Sequence, residues 1–342
     1  MSNQQPFTFK ECMTSAFGLT NLGNTCYMNA TLQMLLTVDE FRQYILDIDK
    51  YLGNLNDVYG VGQIPYYSYY VFVFRELLLS RDNSRSTRNL HNAILYNFQN
   101  DGINYTNYKL GIQNDAGEFL EYLIRSISKE INSIEEKQNK DNYVAKDRSN
   151  FFYKLFWFEL ENIRSPVDIH SEPTNPGKKE MFSTLILYFE DIKSGEIVNI
   201  QDLINKRFIK TFFGDTRQIN LNCTKFNQPS EYIIVMLARY KYINGRVEKI
   251  DYPVKILKNI NIGKYFYNII SITEHIGSSP NSGHYVNYSQ RVYSWYYFND
   301  ESAQKVDFPK ILFDISERGN SYLLLYKKAT EFKQLENKDN IK

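Results

Sequence analysis

Two hydrophobic rhythms divide this chain, and the change between them near Phe151 limits the architectures open to it. Before that point apolar residues recur at helical spacing. Met28, Leu32, Leu35 and Leu36 share one face of a helix beginning near Cys26. Phe119, Leu120, Leu123, Ile124 and Ile127 repeat the pattern, and Asp115 followed by Glu118 reads as a reciprocal cap that starts a second helix near Asp115. After Phe151 come strand-like runs: Thr184 to Phe189, Tyr232 to Tyr240, Tyr265 to Thr273, His284 to Tyr288, Trp295 to Phe298 and Tyr322 to Tyr326. Asn244-Gly245 is the sharpest hairpin signal. A helical front and a mostly antiparallel back predict an α+β fold. Ser80 to Asn89 reads as a polar loop, Glu135 to Asn150 as an exposed connector, residues 1–16 as a flexible segment and the tail after Lys328 as loose.

Composition removes several function classes. With 342 residues there is room for one large domain or two modest ones, and Lys+Arg 40 against Asp+Glu 39 leaves no overall charge that would draw nucleic acid or an anionic membrane. The longest clean apolar run, Tyr232 to Ala238, is far shorter than the roughly 20 residues a bilayer span needs, and the first residues lack a signal-peptide core. Cys12, Cys26 and Cys223 cannot make a disulfide framework, and without a Cys-x-x-Cys pair a structural zinc site has too few thiolates. The expected setting is a reducing compartment, cytoplasmic or nuclear, where a free thiol can act as a nucleophile.

Chemistry concentrates around Cys26. Gly18 to Thr25, with two glycines and two asparagines, leads directly into a helix whose first turn holds the cysteine, where unpaired amides and the positive dipole end favour thiolate. A buried, inert cysteine is the default reading for any free Cys, and it stands for Cys12 and Cys223. For Cys26 the reading turns on a histidine partner. His91 and His170 have no catalytic setting in the sequence, and His275, at a strand end, is ambiguous. His284 opens a strand after the flexible Ser-Ser-Pro-Asn-Ser-Gly stretch, which would present imidazole at a cleft lip. Beyond a turn expected at Ser289-Gln290-Arg291, the strand Trp295 to Phe298 ends in Asn299 and Asp300. Either can accept a hydrogen bond from imidazole.

Taken together, these stretches resemble the ubiquitin-specific protease family, papain-like deubiquitinases with thumb, palm and fingers. Gly18 to Gln33 is similar to that family's cysteine box almost residue for residue, Gln113 to Leu120 to its glutamine-aspartate box, Ile234 to Tyr240 to a palm strand, and Asn281 to Val286 to its histidine box. The resemblance implies a catalytic domain over 17–328, with the thumb at about 17–150 and fingers and palm at about 151–328. It implies Cys26 as nucleophile, His284 as base, Asn299 as its orienter, Asp300 as an acid that assists or substitutes, and Asn21 as oxyanion donor. Gln113, Asp115, Glu118, Gly283 and Tyr285 would line the path of the substrate tail. The implied partner is ubiquitin on modified proteins, acted on by a monomer without cofactor. The cysteine pairs that hold zinc in many members' fingers are missing, so zinc-free fingers are expected. Two other readings keep the fold: an inactive ubiquitin-binding module, and a protease for another ubiquitin-like modifier.

Overall fold

Apolar spacing becomes architecture in the expected order. The computed structural model describes residues 8–48, 70–80, 82–100, 108, 111–138, 151–166, 177–189, 192, 198–213, 219–243, 245–279 and 282–329. Among these, helices α1 (Phe9–Thr14), α2 (Cys26–Leu35), α3 (Asp39–Leu46), α4 (Tyr70–Leu79), α5 (Asn83–Asn100), α6 (Ala116–Gln138) and α7 (Phe151–Phe156) precede the first strand. Then follow β1 (Phe158–Pro166), β2 (Lys178–Phe182), β3 (Thr184–Leu187), β4 (Val198–Asn199), α8 (Ile200–Phe208), β5 (Ile209–Phe213), β6 (Ile219–Gln228) and β7 (Tyr232–Leu237). The chain continues through β8 (Tyr240–Ile243), β9 (Arg246–Lys249), β10 (Val254–Lys255), β11 (Asn259–Ile262), β12 (Tyr265–Ser279), β13 (Ser282–Arg291), β14 (Ser294–Asn299), β15 (Ser302–Val306), α9 (Phe308–Arg318) and β16 (Ser321–Lys328).

One large sheet, in the order β15-β14-β13-β12-β16-β7-β3 with β11 added beside β12, forms the centre. It is antiparallel except where β3 runs parallel to β7. A separate sheet has the order β2-β1-β6-β5, and β8 pairs with β9 through the hairpin expected at Asn244-Gly245, Gly245 holding φ +82. Period-two alternation on the central strands divides the core. Ile234, Leu323 and Leu325 pack with the helical half, while Ile233, Val235, Leu324 and Tyr326 pack on the other face with residues of α8 and α9. Burial on both faces is why β7 and β16 are continuous apolar runs rather than alternating ones. Helix α2 lies against β13, β12, β14 and α6, buried along its entire length.

Several local expectations are corrected. The segment over residues 1–16, expected to be flexible, contains α1. A capping box formed by Thr8 and Glu11 starts that helix, and the buried Cys12 Sγ donates to Leu78 O. Ser80 to Asn89 is largely helix, because Asp82 accepts the Arg85 N–H at 3.1 Å and starts α5 at Asn83. Ser289, Gln290 and Arg291 are strand, and the β13–β14 turn falls at Val292-Tyr293. His275 lies within β12 rather than at its end, and His284 is the third residue of β13. His170, most of the stretch Glu135 to Asn150 beyond α6, and the tail from residue 330 lie outside the described residues.

His91, on α5, is fully buried with neither ring nitrogen hydrogen-bonded, and burial pushes it down to about 3. A folded-state value below the ordinary 6.5 means the unfolded chain takes up the proton first as pH falls. Stability is therefore full above about pH 6.5 and declines below it. His275, pushed down to about 4 by burial and then by the Lys249 and His284 charges, acts in the same direction. Replacing His91 with Leu removes one of the two, flattening the acid limb by up to ~1.4 kcal/mol per pH unit. Urea midpoints measured between about pH 7.5 and 5.5 test this; identical slopes for H91L and the parent would show that His91 does not contribute.

Candidate active site

Close backbone approach sets up the site. Gly18 lies against the turn between β14 and β15, where a Cβ would stand 2.1 Å from Glu301 O, so only glycine lets the strand-like lead segment sit there. Leu19 N–H donates to Asp300 O at 2.7 Å, and the Asn21 N–H donates to the Glu301 carboxylate at 2.7 Å. The chain then turns sharply. Asn21 Oδ1 accepts from the Gly23 N–H at 2.9 Å, and Gly23 and Asn24 both hold positive φ. These contacts deliver the chain into α2, whose first residue is Cys26, 3% exposed.

From the opposite side, β13 brings His284 to that helix end. The imidazole hydrogen-bonds the Cys26 side chain, and its Nε2–H donates to Asn299 Oδ1 at 2.7 Å, leaving Nδ1 to face the sulfur. Asn299 is the last residue of β14, the strand paired with β13, so the sheet ladder itself sets this contact. His284 is raised from 6.5 to about 9, first by the hydrogen bond to Cys26 and next by that to Asn299, against the lowering effect of burial. The ring is therefore imidazolium at neutral pH.

Asp300 stands elsewhere than expected. In a turn with φ +46, its Oδ2 accepts from Asn21 Nδ2 at 2.8 Å and its Oδ1 from Asn29 Nδ2 at 2.8 Å. Its hydrogen bonds serve the lead segment and α2, and its charge is the smallest of the influences on His284. Asn21 is thus held at both ends of its amide, Oδ1 in its own turn and one N–H on Asp300. An amide nitrogen carries a second hydrogen, which remains available to a ligand.

The expected tail-lining residues separate into two groups. Gln113 Nε2 donates to Gly283 O at 3.1 Å, linking the segment before α6 to the start of β13 beside His284. Asp115 caps α6 through the Glu118 N–H at 2.9 Å and also accepts from Tyr322 OH at 2.6 Å. Glu118 does not reciprocate the cap; its carboxylate takes Tyr122 OH at 3.1 Å and stays exposed. Tyr285, the neighbour of His284 on β13, is 1% exposed, packed in the same core as Cys26 and Ala116, with its ring centroid 4.3 Å from that of His275. Sequence reading missed Asn29, although it lies inside the cysteine stretch, and left open His275, whose Nδ1 shares a 2.5 Å hydrogen bond with Tyr240 OH.

A model of ubiquitin carboxyl-terminal hydrolases matches residues 17–326. The chain belongs to the ubiquitin carboxyl-terminal hydrolase family. Members of this family are cysteine-dependent deubiquitinating peptidases. Among its relatives, ubiquitin carboxyl-terminal hydrolase 4 of Arabidopsis thaliana is 22% identical over 356 residues, covering 91% of this chain and 92% of that protein. Among solved structures, a SAGA DUB module of Ubp8, Sgf11, Sus1 and Sgf73 bound to monoubiquitin matches with TM-score 0.73 and 17% identity, over 96% of this chain and 72% of that one. The same module bound to ubiquitin aldehyde gives TM-score 0.71 and 17% identity, over 96% and 72%. The α+β, papain-like fold of this hydrolase family is therefore the fold of this chain. Among the described residues no helix is long and apolar enough to cross a membrane.

Titration of His284 tests the geometry without any substrate. Its proton should be lost near pH 9 in the parent. The Cys26→Ala change, which removes the largest raising influence, should move that point down the most, Asn299→Ala less, and Asp300→Ala least. NMR of the imidazole resonances reads the order, and a larger drop in D300A than in N299A would overturn the assignment of Asn299 as the ring's partner.

Proposed function

We propose that this chain hydrolyses the peptide or isopeptide bond after the C-terminal glycine of ubiquitin, using Cys26, His284 and Asn299. The observation that carries the reading is the placement of His284 between two partners, Cys26 on one ring nitrogen and Asn299 Oδ1 at 2.7 Å on the other. The thiolate attacks the glycine carbonyl, and the tetrahedral oxyanion is taken up by the free N–H of Asn21 Nδ2 and a first-turn amide of α2, the Cys26 N–H being nearest in sequence. The imidazolium of His284 gives its proton to the leaving amine, then accepts one from the water that releases ubiquitin. Asp300 takes part by fixing Asn21 rather than by orienting the ring.

The exposed Glu118 and Gly283 and the half-buried Gln113 and Asp115 flank the approach. Their acids suit the basic, extended tail of ubiquitin, and their bridge from Gln113 to Gly283 crosses the route by which a glycine pair would enter. The two structural neighbours bound to monoubiquitin or to ubiquitin aldehyde are consistent with ubiquitin as the partner. A thiol that must remain free places the activity in a reducing compartment, cytoplasmic or nuclear.

Ubiquitin with a C-terminal electrophile should label the wild-type chain at Cys26 and leave Cys26→Ala unlabelled, read by intact mass. Absence of labelling at Cys26 would refute the reading, and preferential labelling by another ubiquitin-like probe would change the modifier. Losing one oxyanion donor commonly removes roughly 3–4 kcal/mol of transition-state stabilisation. Asn21→Ala should therefore lower kcat by about a hundredfold or more with KM nearly unchanged on a fluorogenic ubiquitin conjugate. Parent-like kcat in N21A would remove Asn21 from the mechanism.

A further inference from the structure

Arg291 sits at the end of β13 remote from His284 and is 4% exposed. Its Nη2 donates to Gln33 Oε1 at 2.8 Å and to Gln33 O at 3.1 Å, and its Nη1 to Thr37 Oγ1 at 2.7 Å and Gln290 O at 3.1 Å. Gln33 lies in the last turn of α2, the helix that begins with Cys26. The Thr37 N–H bonds Met34 O at 3.1 Å, so the Gln33 carbonyl is one of the orphan acceptors of a helix end; Thr37 Oγ1 at 3.0 Å and the guanidinium satisfy it. Gln33 Nε2 donates onward to Phe17 O at 2.7 Å, at the start of the segment leading to Asn21. The guanidinium carbon lies 4.9 Å from the ring centre of Phe298, the residue before Asn299.

One side chain thus joins four parts of the site: the far end of the Cys26 helix, the far end of the His284 strand, the Asn299 strand and, through Gln33, the Asn21 segment. No carboxylate forms an ion pair with it among the described residues; Asp39 attracts it from a distance, while the buried Arg42 repels it, and burial disfavours its charge. A buried cation held mainly by carbonyls and a hydroxyl is an expensive way to fill a core, where a methionine of similar length would pack without that desolvation. Directional bonds are what it contributes that methionine cannot. Cys26 and Gln33 are seven residues apart, roughly 10 Å of helix, so play at the far end becomes misplacement of the sulfur. Misplacement by about 1 Å can cost a hundredfold in rate.

We propose that Arg291 is a positioning residue for the catalytic pair, fixing the slide and rotation of α2 against β13 and β14 so that the Cys26 sulfur stays in register with His284. The proposal rests on the reading of Cys26 and His284 given above. The test uses the full chain with Arg291→Met and Arg291→Lys, fluorogenic ubiquitin for kcat and KM, iodoacetamide alkylation of Cys26 across pH, and thermal melting. R291M leaves the Gln33 Oε1 acceptor without its guanidinium and should melt somewhat below the parent; still folded, it should lose about ten- to a hundredfold in kcat with little change in KM and alkylate more slowly at Cys26. R291K, which can still reach one acceptor, should recover part of kcat. A folded R291M with parent kcat and an unchanged alkylation profile overturns the proposal, as does a rise in KM alone. Should R291M not fold, Thr37→Val removes only the Nη1 acceptor and should show the same changes at smaller size; parent-like kcat and profile in T37V would then reduce Arg291 to a folding role. If the parent itself is not labelled at Cys26 by electrophilic ubiquitin, the functional reading fails. If it is labelled while R291M matches it throughout, only this inference fails.

Discussion

Everything at the site depends on how α2 seats against the central sheet. The helix is buried on every side, yet it carries Asn29, Thr31 and Gln33, so its seat cannot rest on apolar packing alone. Each polar side chain is used. Asn29 reaches Asp300 and the Leu19 carbonyl, Thr31 returns to the carbonyls of Tyr27 and Met28, and Gln33 joins Phe17 to Arg291. The facing strands answer in kind, with Asn287, Ser289, Ser271 and Thr273 joined in a buried hydrogen-bonded cluster. Apolar contacts tolerate sliding, whereas such a seam has few registers in which this many of its donors and acceptors are paired. A thiol and an imidazole supplied by residues 258 positions apart in the chain, as 284 less 26, need that kind of definition.

Legibility in the sequence followed physical locality. Cys26 announced itself because a glycine-asparagine turn and a helical apolar pattern occur side by side, and His284 because a loop composition gives way to strand alternation. The hydrogen bond from His284 to Asn299 was foreseeable, since adjacent antiparallel strands are required to bring their ends together. Arg291 was not foreseen. Ser289-Gln290-Arg291 has the composition of a turn, and polarity alone cannot distinguish a turn from a strand face buried against a polar helix. Asp300 was misplaced for a related reason: nearness in sequence to Asn299 suggested a shared partner, but a left-handed backbone turn at Asp300 sends its carboxylate to the opposite side.

Two further differences had readable signals that were outweighed. Thr8 and Glu11 form a capping box three residues apart, the same pattern that located the start of α6 at Asp115, yet a polar terminus reads as loose. Asp82 is an ordinary cap residue, yet the serine- and arginine-rich stretch after it lowers the apolar content below what periodicity detects; the apolar positions that bury α5 begin later, at Leu90 and Ile94. In both places the cap, a local hydrogen bond, was more informative than the hydrophobic pattern.

On the proposed mechanism, the separation of Asn299 from Asp300 divides two electrostatic tasks that a single carboxylate would confuse. His284 already holds its proton to about pH 9 with a neutral amide behind it. A carboxylate in that place would hold the proton more firmly still, and an acid whose pKa lies far above the working pH is a slow donor to a leaving amine. The charge is instead placed against the lead segment and α2, where Asp300 accepts from the amides of Asn21 and Asn29. There it fixes the direction of the Asn21 amide hydrogens, and direction is what a preorganised oxyanion donor requires. The neutral orienter and the relocated acid are therefore one arrangement: each is tolerable because the other is where it is.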